Sequence, residues 1–191
     1  MAHDGRVTLP SFPTLESLPA LDHLDLVAPP VADLLASWPL ADRVAVVGID
    51  PDLADTAAMT AEYDLPLAAS GNCVVVTGQR TGEERIAACV VRADTRADVN
   101  KLVRRLLDVR KATFLSMERA VAESGMEYGG ITPVGLPQAW RLLVDERLLA
   151  EPVVILGSGL RRSKLLLPGS ALASLPGAEV VPDLGIPAPS A

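Results

Sequence analysis

The chain has 191 residues, of which 49% are hydrophobic, 21% charged and 3% aromatic. This length suits one domain of ordinary size, and the apolar fraction is high enough for a buried core. The net charge of −7 at pH 7 excludes attraction to nucleic acid or anionic membranes by bulk electrostatics, so a polyanionic partner would need a local basic patch.

The scarce residue types argue against several kinds of site. His3 and His23 are the two histidines and lie near the N-terminus, so histidine-based catalysis is not expected. Cys73 and Cys89 stand in separate apolar stretches without a CxxC pair, which is typical of buried free thiols. No metal site and no cofactor are predicted. With two each of Phe, Trp and Tyr, a base-stacking platform for single-stranded nucleic acid is not expected either.

The ends of the chain are rich in proline. Residues 1–40 are predicted to form an extended arm with one short helix from Ala32 to Trp38. Residues 41–182 are predicted to form the domain, and residues 183–191 a tail. No basic segment precedes an apolar run, and no apolar run reaches the ~18–20 residues of a membrane-spanning helix. We therefore expect a cytoplasmic protein without a membrane partner.

Strands and helices mix in the central segment without a strict βαβ order, which predicts an α+β domain around a mixed sheet. The strands at 72–77 and 85–91 flank a polar loop with two glycines at 78–84, so they are predicted to form a hairpin. The other predicted strands are 43–49, 112–115, 142–145, 152–157 and 165–167. The predicted helices run from Asp52 or Asp55 to about Tyr63, from Thr95 or Asp98 to about Leu107, over 117–124 and over 169–175.

Two glycine-rich loops lie between these elements, at 125–137 and at 157–164. The second loop also carries Arg161, Arg162 and Lys164. Glycine lets a ligand approach the backbone, whose N–H groups can hold an oxygen atom. The two loops therefore suggest a pocket for a small ligand with an anionic group. The alternative is that the glycines only make tight turns and the basic residues face solvent.

Residues 124–135 read Ser-Gly-Met-Glu-Tyr-Gly-Gly-Ile-Thr-Pro-Val-Gly, which resembles a signature of the YbaK/ProX family, with serine where threonine is commoner. Gly129–Pro133 resembles the GxxxP motif of that family, and Gly157–Arg161 resembles its later glycine-rich loop. The order of elements from about Arg43 to Val181 fits as well. The family contains free-standing aminoacyl-tRNA deacylases and the editing insertion of bacterial prolyl-tRNA synthetases. The resemblance implies a curved mixed β-sheet flanked by helices.

The resemblance also implies a pocket for the 3′-terminal adenosine and the aminoacyl group of a mischarged tRNA. In the family, a positioned water hydrolyses the ester without metal or histidine, and a lysine at the start of a strand supports binding and chemistry. Asn72 stands at that lysine position here, so the positive charge is missing there. Arg161 could replace it if its loop covers the same mouth. Asn72 could equally be a turn residue at the strand start.

The leading hypothesis is a trans-editing hydrolase whose partner is mischarged tRNA, not DNA. The alternative is a binding module for an aminoacyl-adenosine or nucleotide-like ligand, in which loss of the lysine has impaired catalysis. The predicted catalytic residues are Asn72 and Gly129. The predicted substrate-binding residues are Gly130, Ile131, Thr132, Pro133, Gly135, Gly157, Ser158, Gly159 and Arg161. The predicted tRNA contacts are Arg104, Arg105, Arg110 and Lys111, a basic stretch that could equally be a solvated face.

Overall fold

A computed structural model describes residues 12–188, so His3, the first part of the predicted arm and the last three residues of the tail lie outside the described residues. The helices are α1 (Pro29–Leu35), α2 (Thr56–Glu62), α3 (Arg104–Leu106), α4 (Met117–Ser124) and α5 (Glu146–Leu149). The strands are β1 (Leu18–Pro19), β2 (Ala45–Gly48), β3 (Gly71–Arg80), β4 (Glu83–Arg92), β5 (Thr95–Ala97), β6 (Ala112–Phe114), β7 (Arg141–Asp145), β8 (Val154–Gly157), β9 (Ser163–Leu167), β10 (Ala178–Val181) and β11 (Gly185–Pro187).

The strands divide among three sheets. A four-stranded sheet has the order β1-β2-β9-β8, a five-stranded sheet has the order β10-β7-β4-β3-β6, and β11 pairs with β5. The β4–β7 and β7–β10 pairs are parallel and the other pairs are antiparallel, so the predicted α+β class with mixed pairing is confirmed. The four- and five-stranded sheets meet where Ser70, just before β3, bridges to Ile155 in β8.

The main hydrophobic core lies between these two sheets. Val46 and Leu165 of the four-stranded sheet share it with Val90 and Val144 of the five-stranded sheet. Segments before β2 also contribute to this core, with Val31 of α1 fully buried. The outer faces are covered separately: α2 packs on the four-stranded sheet, and the helical segment through α3 packs on the five-stranded sheet. Apolar side chains on both faces of the central strands explain their nearly continuous hydrophobic runs.

Several predicted elements appear at shifted positions. The hairpin is confirmed, but its loop is only Thr81 and Gly82, both with positive φ, so the strands continue through most of the predicted loop. This is the backbone of a tight two-residue hairpin turn. Asp98 rather than Thr95 caps the helix that follows β5, because Thr95 belongs to β5 itself. That helix begins as a π-helical turn at Val99–Val103 and continues as α3. Similarly, Asp55 caps α2.

The two glycine-rich loops pack backbone against backbone. The Gly159 N–H donates to the Gly130 carbonyl over 2.8 Å, and the Glu127 N–H donates to the Gly159 carbonyl over 2.8 Å. A Cβ at Gly130 would lie 2.9 Å from backbone atoms of Gly159 and Leu160. A Cβ at Gly157 would collide with the Gly130 carbonyl. This contact therefore requires glycine on both sides.

This packing gives a first prediction. We expect Gly157→Ala to lower the free energy of unfolding by roughly 1–3 kcal/mol, because the new methyl group must displace the Gly130 loop. Gly48→Ala is the matched control, since Gly48 also ends a strand of the same sheet and a Cβ there has nothing within 4 Å. Urea unfolding of both variants checks this. An equal effect of the two substitutions would contradict the tight contact.

Candidate functional site

A cavity of about 470 Å³ opens where the start of β3 meets the ends of β8 and β9. We call it the β3–β9 cavity. Its volume lies in the range of small-molecule sites. Asn72 of β3, Gly157 of β8 and Lys164 of β9 line it, together with the Tyr128–Ile131 segment of the first glycine-rich loop. Residues 54–57, at the start of α2, complete the lining. Both predicted catalytic residues, Asn72 and Gly129, thus line one cavity with Ile131 and Gly157.

Lys164 brings a buried positive charge to this cavity. The residue is only 5% exposed, and its Nζ donates a hydrogen bond of 2.8 Å to the Ala54 carbonyl. Among the described residues, no carboxylate lies within ion-pair distance of it. Burial lowers the pKa of Lys164, the nearby Asp55 carboxylate raises it, and the Arg161 guanidinium lowers it further. The ammonium is therefore held in the cavity at a cost in hydration, a situation common at functional sites.

Asn72 is held by one hydrogen bond, in which the Thr56 hydroxyl donates to its Oδ1 over 2.7 Å. Its Nδ2 makes no hydrogen bond within the described part of the chain. The amide NH₂ is therefore available as a donor to a ligand. Gly129 has a left-handed φ of 79°, a conformation that glycine adopts without strain. The space that a side chain would take there is filled by the Arg161 guanidinium, whose Nη1 would lie 2.8 Å from a Cβ, so Gly129 lines the cavity through its backbone.

The arginines of the second loop are fixed to backbone carbonyls. Arg161 donates to Tyr128 over 3.2 Å and to Pro51 over 3.0 Å, and Arg162 donates to Asp25 over 2.8 Å. Arg161 thus crosses over the Gly129 loop beside the cavity but does not line it. Of the three basic residues in this loop, Lys164 is the one that lines the cavity.

The other predicted substrate-binding residues have different surroundings. Pro133 and Gly135 line a separate cavity of about 520 Å³ beside α1. Ser158 is buried and shares a hydrogen bond of 2.7 Å with Ser163, so it stabilises the turn. Thr132 is also buried, and its hydroxyl has no hydrogen-bond partner within the described residues. Gly130 and Gly159 form the contact between the loops.

The predicted tRNA contacts also lie in different parts of the surface. Arg104 and Arg105 line a shallow depression together with Lys101 and Asp108. Lys111 instead lines a cavity beside β3 and β6. Arg110 is exposed and lines none of these cavities.

The cysteines do not provide a nucleophile. Both are free thiols, and burial raises the pKa of Cys73 well above its usual range and that of Cys89 to about 12. Cys73 lines the β3–β9 cavity, but a thiol in this state is protonated at neutral pH. Over residues 12–188, no three His, Cys, Asp or Glu side chains are grouped so that they could hold a metal ion. None of the described helices is long and apolar enough to cross a membrane.

The sequence matches the aminoacyl-tRNA editing domain family over residues 50–175. Because this match spans more than half of the chain, the protein belongs to that family, and the resemblance drawn from the glycine-rich loops is confirmed. No curated protein matches the sequence.

Three solved structures share the fold. A protein proposed as a trans-editing enzyme for prolyl tRNA synthetase is 20% identical, with a TM-score of 0.66 over 82% of this chain and 97% of that one. A scaffold protein redesigned by epitope grafting is 24% identical, with a TM-score of 0.67 over 83% of this chain and 96% of that one. A hypothetical protein is 22% identical, with a TM-score of 0.65 over 74% of this chain and 90% of that one. These likenesses establish the mixed α+β fold.

The buried lysine gives a second prediction. Between its lowered pKa in the folded protein and its ordinary value of 10.5, the unfolded chain binds more protons than the folded one. The contribution of Lys164 to the free energy of unfolding therefore increases as pH rises through this window. We expect the free energy of unfolding of the wild type, minus that of Lys164→Met, to increase between pH 7 and pH 10.

Urea unfolding at several pH values measures this difference. Lys101→Met is the control, because it removes the same charge from an exposed position. A flat difference for Lys164→Met would contradict the desolvation of the ammonium.

Proposed function

We propose that the protein is an aminoacyl-tRNA deacylase that hydrolyses the ester of a mischarged tRNA in trans. The observation that carries this proposal is the buried ammonium of Lys164, which lines the same cavity as Asn72 and the Gly129 backbone in a chain of the aminoacyl-tRNA editing family. The resemblance implies a cation in this pocket, and the position from which the family supplies it is Asn72 here. Lys164 supplies the cation from another strand.

The cavity offers a place for each part of an aminoacyl-adenosine. Tyr128 lines it and is 62% exposed, so its ring can stack on the terminal adenine. Apolar groups, including Val74 and Ile131, can contact the aminoacyl side chain. The polar groups of Asn72 and Lys164 then lie in the same space as the ester that joins these two parts.

The reaction requires water to add to the ester carbonyl carbon. Negative charge then develops on the carbonyl oxygen, the bond to the ribose oxygen breaks, and a proton from the water passes to that oxygen, so that the free amino acid and a tRNA with an intact terminal hydroxyl are released. The Lys164 ammonium, at low water exposure, stabilises the developing charge. Asn72 donates from Nδ2 to the water or to the ribose. An aminoacyl ester is already activated, so orientation and charge stabilisation supply much of the rate.

The experiment is a deacylation panel with tRNAs mischarged with alanine, cysteine, serine or threonine. We expect the wild type to hydrolyse at least one of them, and Lys164→Met to reduce kcat/KM about 100-fold or more, as for loss of a donor to an oxyanion. Lys101→Met is the matched control and should retain the wild-type rate. Asn72→Ala should show a smaller loss, because it removes a neutral donor.

Two further measurements separate a functional role of Lys164 from a structural one. First, the rate above spontaneous hydrolysis should fall at alkaline pH with an apparent pKa below 10.5, because burial lowers the pKa of Lys164 and the ammonium is the active form. Secondly, adding Asn72→Lys to Lys164→Met should restore part of the activity, because it returns a cation to the same cavity from β3.

Wild-type hydrolysis that Lys164→Met leaves unchanged would contradict the role of the ammonium. Absence of hydrolysis on the whole panel would contradict the enzyme. If the protein nevertheless bound tRNA tightly and in a salt-sensitive way, it would be a binding module.

A further inference from the structure

A second cavity adjoins the first along β3. It has a volume of about 550 Å³ and lies between β3, β5 and β6, so we call it the β3–β6 cavity. Asn72 and Val74 line both cavities, which places the two spaces side by side along one strand. The floor of the β3–β6 cavity is apolar, with Val91 and Ala112 buried beneath it.

The rim of the β3–β6 cavity carries positive charge and an exposed aromatic ring. Arg96 and Lys111 line it and are exposed, and neither forms an ion pair within residues 12–188. Phe114 lines it and is 64% exposed. No carboxylate is among its described lining residues. The two acidic residues nearest to Arg96 along the chain have other partners: Asp94 pairs with Arg92, and Asp98 accepts from the Lys101 and Leu102 N–H groups at the helix start.

An exposed aromatic ring beside two unpaired cations favours a nucleotide as the ligand of this cavity. An exposed ring stacks on any base, and unpaired cations at the same place bind its phosphate, which is how single-stranded nucleic acid is held without sequence readout. The local positive charge stands out in a chain with a net charge of −7. Two exposed aromatic rings, Tyr128 and Phe114, line the adjoining cavities, one in each.

We propose that the β3–β6 cavity binds the unpaired nucleotides that precede the terminal adenosine of the tRNA. A base stacks on Phe114, and Lys111 and Arg96 contact the adjacent phosphates. The proposal rests on the proposed function, because it takes the β3–β9 cavity as the site of the aminoacyl-adenosine end. It also distinguishes Lys111 from Arg104 and Arg105, which lie in the separate depression with Asp108.

The test measures binding and needs no turnover. The probe is a fluorescently labelled, uncharged acceptor-stem RNA hairpin with the unpaired 3′ end of tRNA, followed by anisotropy. We expect Phe114→Ala to weaken binding about tenfold. Met117→Ala is the matched control, because Met117 is 56% exposed but lies outside both cavities, and it should bind like the wild type.

Two double variants test the contribution of the charged residues to binding. We expect Arg96→Gln with Lys111→Gln to weaken binding at least tenfold and to reduce the slope of log affinity against log salt by about 1, because contacts to single-stranded phosphates are lost. Arg104→Gln with Arg105→Gln removes the same charge and should stay within about twofold of the wild type. A blunt hairpin without the unpaired end should bind the wild type at least as weakly as the intact hairpin binds Phe114→Ala, because it also lacks the terminal adenosine assigned to the β3–β9 cavity.

The proposal would be overturned if the two double variants lost the same RNA affinity. It would also be overturned if the wild type bound the blunt and the intact hairpin equally well. Circular dichroism of each variant checks that the fold is retained. The result is independent of the deacylation panel. A protein without hydrolysis that still binds through Phe114 and Lys111 would contradict the enzyme and support the RNA site. Hydrolysis by a protein whose RNA binding does not depend on Phe114 and Lys111 would support the enzyme and contradict the RNA site.

Discussion

The candidate site depends on one contact, in which the backbone of the first glycine-rich loop lies directly on the backbone of the second. The Gly130 carbonyl accepts from the Gly159 N–H, and Gly157 has no room for a side chain beside it. Because Gly157 ends β8 and pairs with Lys164 of β9, the contact fixes where both strands meet the loop. The β3–β9 cavity is the space left between this contact and the start of β3. Side chains at these glycines would separate the loops and alter that space.

Burying the Lys164 ammonium opposes stability, and the surrounding structure offsets only part of that cost. The Ala54 carbonyl accepts one hydrogen bond, and Asp55 lies close enough to favour the charged form. Arg161 acts in the opposite direction as a like charge, although its own guanidinium is held by the carbonyls of Tyr128 and Pro51. A purely structural position would be better filled by an apolar side chain. A charge at this buried position therefore agrees with the proposed role of Lys164 in stabilising a negatively charged oxygen.

Local patterns in the sequence predicted the hairpin, α4 and the two glycine-rich loops, because each depends on residues close together in the chain. The burial of Lys164 in the cavity was missed because it comes soon after Arg161 and Arg162, and a basic loop is usually solvated. One signal was available: in a strand that includes Ser163, alternation places Lys164 on the same face as Leu166, which is buried against α2. The β3–β6 cavity could not be predicted, because β3, β5 and β6 come together only through tertiary pairing.

When β3 is considered alone, Asn72 at the expected lysine position suggests that the site has lost its positive charge. The three-dimensional arrangement leads to a different interpretation, since β3 and β9 contribute side chains to the same cavity. Electrostatic stabilisation depends on the distance and burial of a charge and not on the strand that carries it. An ammonium from β9 can therefore meet the same chemical requirement, while Asn72 keeps a hydrogen-bond donor at the original position. Under the proposed function, the site therefore holds a cation although position 72 does not supply one.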